Sequence, residues 1–283
     1  MEIINNRYRI LETEYSNRVF SCHVAKNILY PNEESFRIFI VKPQMMPSLA
    51  MQKFISDFQV YSSIKHPYIV KGEHVDMIFS IDRKPVERTN YYFVVEKFDY
   101  NTSFLDYSYA QTDSDILLDK FIDILRIFEL MIRRGFYYDF ASTEHIYLDD
   151  NHNIKIKDFL LTQIENISFS SHEQRADLKY RAPELYSGES TTILSVIYAL
   201  GMVLKSLLKN PSFEANFGNK IKPVIDKMTA YRYLERYMSI TQIIEDINFF
   251  CDKDYEFLFE DKNYYIDRKP GLVMRDSIKN AIF

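Results

Sequence analysis

The sequence predicts an α+β protein: a small antiparallel β-sheet part carrying one helix, followed by a larger, mainly helical part. Three observations lead there. Residues 8–42 fall into short runs rich in β-branched and aromatic residues, separated by polar turns. Of two later stretches, Leu117–Arg134 carries apolar residues at helical spacing and Thr191–Leu208 is apolar on nearly every face. Strands that come first and long helices that come after describe an α+β chain. At 283 residues and 47% hydrophobic content, the chain can bury a core in one domain of two lobes or in two small domains.

Composition also narrows the function. The net charge of -5, with both signs interspersed, lacks the basic footprint of a nucleic-acid binder. Cys22 and Cys251 stand in no metal-ligand spacing and suit a reducing compartment. The first residues, MEIINNRYRI, have no apolar signal core, and the longest mainly apolar run, Ile193 to Leu204, is too short to span a bilayer. The expectation is a soluble, cytoplasmic protein with no membrane span. Glycines number only 6, and loops that cradle phosphate are built from glycine.

In order, Tyr8–Leu11, Arg18–Val24 and Ser35–Lys42 read as strands. Ser48 then offers an N-cap for a helix through Ile64, whose buried face is Leu49, Met51, Phe54, Ile55, Phe58 and Tyr61. Tyr91–Phe98 is a further strand. Leu117–Arg134 is a helix stopped by Gly135. Thr191–Leu208 is apolar on nearly every face, as a buried central helix is, and stops before Asn210-Pro211. After about residue 250, Tyr255 onward reads as a hairpin, and Pro270-Gly271 turns into a short terminal helix.

Two runs carry a family resemblance: Asn153-Ile-Lys-Ile-Lys-Asp-Phe159 and, one segment later, Tyr180-Arg-Ala-Pro-Glu-Leu185. They resemble the Asp-Phe-Gly and Ala-Pro-Glu motifs of the protein kinase superfamily. The resemblance implies a two-lobed kinase-like fold, with an N-lobe over residues 1–97, a C-lobe over 98–250 and a C-terminal extension over 251–283. It also gives roles to single residues. Lys42 stands where the family's phosphate-gripping lysine ends its strand, and Ile40 where a small alanine covers the adenine. Asp57 falls at the helix glutamate that pairs with that lysine, Val95 at the gatekeeper, and Glu96 at the start of the linker. Asp139 is the candidate catalytic base, Asp158 the magnesium aspartate, and Phe159 its packing neighbour. Counting back from Asp158 puts His145 at the second metal position and Tyr147 at the floor of the adenine pocket; counting forward from Asp139 puts Glu144 at the metal position instead. Glu184 and Arg236 match a structural ion pair of the C-lobe.

The departures from the family pattern concern chemistry rather than architecture. The three loop-glycine positions hold Glu12, Glu14 and Asn17, and two carboxylates there would repel phosphate. Leu160 follows Phe159 in place of glycine, and Val196 replaces an aspartate that anchors the catalytic loop. Ile40 and Tyr147 add bulk where a purine would lie. The expectation is therefore a pseudokinase, a binding, scaffolding or regulatory module with no cofactor, whose partner is another protein, an active kinase among the candidates. The alternative is a divergent Ser/Thr kinase using ATP and Mg through Lys42, Asp139 and Asp158. A small-molecule kinase of the aminoglycoside type fits less well, because the pairing of Glu184 with Arg236 is a protein-kinase feature. Ser168, Ser170 and Ser171 would lie in the activation segment.

Overall fold

The computed structural model describes residues 3–16, 20–30, 35–42, 48–78, 91–99, 101–137, 143–156 and 179–257. These residues are α+β, with a six-stranded and a three-stranded antiparallel sheet and seven helices. They divide into two compact units, one ending at Phe98 and the other beginning at Asp99.

The first unit holds β1 (Ile3–Ile4), β2 (Tyr8–Ser16), β3 (Phe20–Asn27), β4 (Phe36–Val41), α1 (Ser48–Ser62), β5 (Gly72–Met77) and β6 (Tyr91–Glu96). The sheet order is β1-β2-β3-β4-β6-β5, and every neighbouring pair is antiparallel. Both faces are apolar, which is why β4 reads as the continuous run FRIFIV rather than as an alternating one. One face gathers Ile4, Tyr8, Ala25, Ile38, Tyr92 and Val94, with Phe36 and Ile40 packed against them. The other face is aromatic. Phe39 stacks on Phe93 with centroids 5.0 Å apart and planes 6° apart, Phe20 meets Phe39 edge-on, and Phe54 and Phe58 of α1 lie 5.3 and 5.6 Å from Phe93. Helix α1 is seated more closely at Gly72. A Cβ there would come within 2.9 Å of the Tyr61 ring, whose hydroxyl donates to the Val70 carbonyl.

Strand β2 runs five residues beyond the expected end at Leu11. Its second half, Glu12–Ser16, is polar and exposed, but hairpin pairing with β3 satisfies the backbone. Register shifts at Ile10/Glu12 and Thr13/Tyr15 bend this half, and such irregularity hides strand periodicity from the sequence. At the other edge of the sheet, His74 stacks on Tyr8 at 5.4 Å and meets Tyr92 edge-on at 5.7 Å. The Tyr8 hydroxyl lies 3.3 Å from His74 Nδ1, while Nε2 is buried without a hydrogen-bond partner. Burial, and secondarily the charge of Arg7, push the His74 pKa down from 6.5 to about 4.

The second unit contains β7 (Thr102–Ser103), α2 (Phe104–Ala110), α3 (Ser114–Arg133), β8 (Ile146–Leu148), β9 (Ile154–Ile156), α4 (Pro183–Tyr186), α5 (Ile193–Leu207), α6 (Pro211–Met228) and α7 (Ile240–Cys251). The caps explain the boundaries. Asp113 accepts from the Asp115 and Ile116 amides at the start of α3, and Gly135 takes φ 83° just beyond its end. Thr192 and Ser195 form a capping box on α5. Asn210 caps α6 through the Phe213 amide, and its Nδ2 also donates to the Ser108 and Gln111 carbonyls. Helix α5 is the buried centre, and α6 crosses it closely at Gly201, where a Cβ would meet Met228 Cβ at 2.7 Å.

Beyond α7 the expected hairpin does not begin at Tyr255, because residues 253–257 form no strand. They lie instead along α3: Tyr255 donates to Asp119 at 2.6 Å, Lys253 pairs with Asp115 at 2.8 Å, and Arg126 donates twice to the Glu256 carbonyl. The α3 side chains Asp115, Asp119 and Arg126 hold this segment, so the alternation of aromatic and acidic residues reflects tethering rather than a pleat. The remainder of the expected hairpin and the terminal helix lie outside the described residues. Among the described residues, no helix is long and apolar enough to cross a membrane.

Candidate functional site

The residues expected around a nucleotide in the first unit do not share one face of the sheet. Strand β4 pairs with β6 in the register Arg37↔Val95, Phe39↔Phe93 and Ile40↔Tyr92. Ile40 therefore points to the face of Tyr8, Ile38 and Tyr92, whereas Val95, fully buried, points with Phe39 and Phe93 to the face covered by α1. The α1-facing positions of β4 are Arg37, Phe39 and Val41; Ile40 and Lys42 have the opposite parity. A one-residue difference in register moves a side chain through the sheet, and a continuous apolar run gives the sequence no means of fixing that register.

Lys42 follows the last residue of β4, and its Nζ donates to Ser16 Oγ at 3.0 Å. Ser16 pairs with Ser21, which pairs in turn with Ile40, so Lys42 reaches the rim of β2 on the Ile40 side. Asp57 is half-buried on α1, beside the sheet-facing Phe54, Phe58 and Tyr61. Glu96 ends β6, where its amide donates to the Lys71 carbonyl.

Glu12 and Glu14, at two of the expected glycine positions, lie within β2 rather than in a loop; Asn17 is outside the described residues. Glu14 is held by Arg37 through Nε at 2.6 Å and Nη2 at 2.9 Å, and it accepts from Cys22 Sγ. The hydrogen bond from Arg37 keeps the Glu14 carboxyl below its ordinary pKa. The remaining Arg37 nitrogen, Nη1, donates to the carbonyl of Phe98, the last described residue of the unit. Glu14 is thus a structural carboxylate joining β2 and β4. The sequence reading missed Arg37, and its signal was weak: a lone arginine inside an apolar strand, asking for a buried counter-charge.

In the second unit, Tyr147 sits half-buried in β8, paired with Ser103 and Lys155, while its neighbours Ile146 and Leu148 are buried on the opposite face. His145 is buried at the end of the 3-10 turn Thr143–His145, whose Thr143 Oγ1 lies 2.8 Å from the Tyr180 hydroxyl. Val196 is fully buried in α5. Glu184 of α4 and Arg236, 52 positions apart, form a two-pronged ion pair at 2.7 and 2.9 Å, with side-chain exposures of 8% and 0%. Arg236 also donates to the Ala230 and Leu194 carbonyls and lies 4.8 Å from the Tyr198 ring centre. Every donor direction of the guanidinium is used, which makes a buried cation tolerable.

Asp139, Asp158 and Phe159 lie outside the described residues, as do Ser168, Ser170 and Ser171. Among the described residues, no group of three or more His, Cys, Asp or Glu side chains could hold a metal ion. No family model matches the chain.

Proposed function

We propose that this chain is a pseudokinase, a two-lobed kinase-shaped protein that binds and regulates or scaffolds a protein partner and does not use ATP productively. The observation that carries the reading is the α1-facing side of the six-stranded sheet. The resemblance requires a lysine and a small residue there, beneath the helix and beside the gatekeeper. The positions with that orientation hold buried Val41 and the stacked ring of Phe39, backed by Phe20 and Phe93. A valine cannot neutralise phosphate, and an aromatic stack leaves no slot for a purine ring. Glu14, fixed by Arg37, adds a carboxylate where phosphate would need backbone amides.

The scaffold favours the same class. A small antiparallel sheet with one helix is followed by a helical unit in which Glu184 and Arg236 pair as the resemblance leads one to expect. Packing and structural ion pairs are kept where the polar groups of phosphoryl transfer are replaced. Thermal unfolding with and without ATP and magnesium tests this reading. A ligand present at a hundred times its dissociation constant adds about 2.7 kcal/mol of stability, which for a unit of this size is a rise on the order of 5 °C or more. The expected result is no rise. A rise of that size, together with labelled phosphate transfer lost on Asp158→Asn, would replace this reading with a working kinase built on Lys42, Asp139 and Asp158.

A further inference from the structure

Among the described residues of the second unit, an exposed apolar surface surrounds the 3-10 turn Tyr233–Glu235. Tyr231 is 81% and Leu234 72% exposed, and Tyr186 and Met238 also stand in solvent. Tyr231, Tyr233 and Leu234 line a groove of about 470 Å³ between this turn and α4, together with Pro183 and Ser187 and the charged Glu184, Arg232 and Glu235. Its wall is rigid, because Arg236 ties the turn to Glu184 and to the Ala230 carbonyl from beneath. A fixed groove with protruding apolar side chains is costly to leave in water and has the makings of an interface core.

The charges on the patch indicate what covers it. Arg232 and Glu235 flank Leu234, 82% and 59% exposed, and their mutual contact is loose at 3.6 Å. Such a pair contributes little on its own, so either partner can exchange for a better one. We propose that this face is the contact between two copies of the chain, related by a two-fold axis, with Arg232 of each copy on Glu235 of the other and the Tyr231 and Leu234 side chains packed between them. A two-fold contact uses one patch twice, and the patch must therefore be complementary to itself. One cation and one anion, three residues apart beside an apolar centre, meet that condition. This inference is independent of the nucleotide reading.

Sedimentation equilibrium of the full chain tests it. The wild-type protein is expected at twice the monomer mass at about 100 µM. Arg232→Glu and Glu235→Arg, both at exposed positions, should each give a monomer with unchanged circular dichroism. Mixing the two variants in equal amounts should restore the doubled mass, since each then presents the charge the other lacks. A wild-type monomer throughout this range, single variants that remain dimeric, or folded variants that fail to recombine would each overturn the proposal. Leu234→Asp gives a second reading, with a monomer expected and a persistent dimer contrary.

Discussion

Substituting Glu184 by Gln removes the charge but not the shape from the best-buried ion pair among the described residues. Arg236 is then a cation with a fully buried side chain and no anion, held by the Leu194 and Ala230 carbonyls, the weaker contact to the Tyr231 carbonyl at 3.4 Å and the face of Tyr198. Breaking one side of a buried pair costs about 3–5 kcal/mol, and these remaining acceptors place Glu184→Gln near 3 kcal/mol. Arg236→Met should cost about as much. It leaves a carboxylate nearer the surface but strips the Ala230 and Leu194 carbonyls of a donor. The double variant removes both charges together and should cost less than the sum of the two, with a coupling of about 2 kcal/mol. Urea denaturation followed by circular dichroism suits a chain without tryptophan, and a loss of 3 kcal/mol moves the midpoint by roughly 1–2 M. If the two single costs add to within about 0.5 kcal/mol of the double, the pair does not act as a unit and the reasoning fails.

Two further perturbations have signs that the structure sets. Gly201→Ala should destabilise by about 1–3 kcal/mol, because the new Cβ would lie 2.7 Å from Met228 Cβ and 2.8 Å from Thr229 Cγ2. Gly218→Ala, also within a helix but facing only the movable Glu214 side chain, should instead stabilise by about 0.5–1 kcal/mol; equal effects in thermal melts would refute the packing account of α5 on α6. His74 has a folded pKa depressed to about 4 from 6.5, so the unfolded chain binds its proton first as pH falls. Its contribution is therefore complete above pH 6.5 and is lost between 6.5 and about 4, amounting to about 2 kcal/mol by pH 5. His74→Phe should flatten the stability profile in that window, and an unchanged slope would show that the buried imidazole is not its cause.

What the sequence reveals depends on how each element signals itself. Helix α3 declares itself by its apolar period and the glycine beyond its end, and α5 by a run too apolar to lie at the surface, whereas the caps Asp113 and Thr192 and the whole of α7 emerge only in the structure. The match of Glu184 with Arg236 is legible across 52 residues because a buried charge requires its opposite. Strand β4 is the counterexample. With both faces apolar, FRIFIV gives its existence but not its parity, so nothing in the run shows that Phe39 and Val41, rather than Ile40, lie on the α1 face. The second half of β2 is silent for the converse reason: it is polar on both faces and held by its hairpin, so no burial pattern exists to be read. The groove beside Tyr231 left only the trace of aromatic residues interleaved with charges outside any helix.

On the proposed reading the aromatic face of the sheet has no place for a purine, and equilibrium dialysis against labelled ATP with magnesium measures whether one binds. Equal label on both sides of the membrane is expected up to about 1 mM nucleotide. Saturable retention with a dissociation constant near 100 µM or below, abolished by Phe39→Trp, would contradict it.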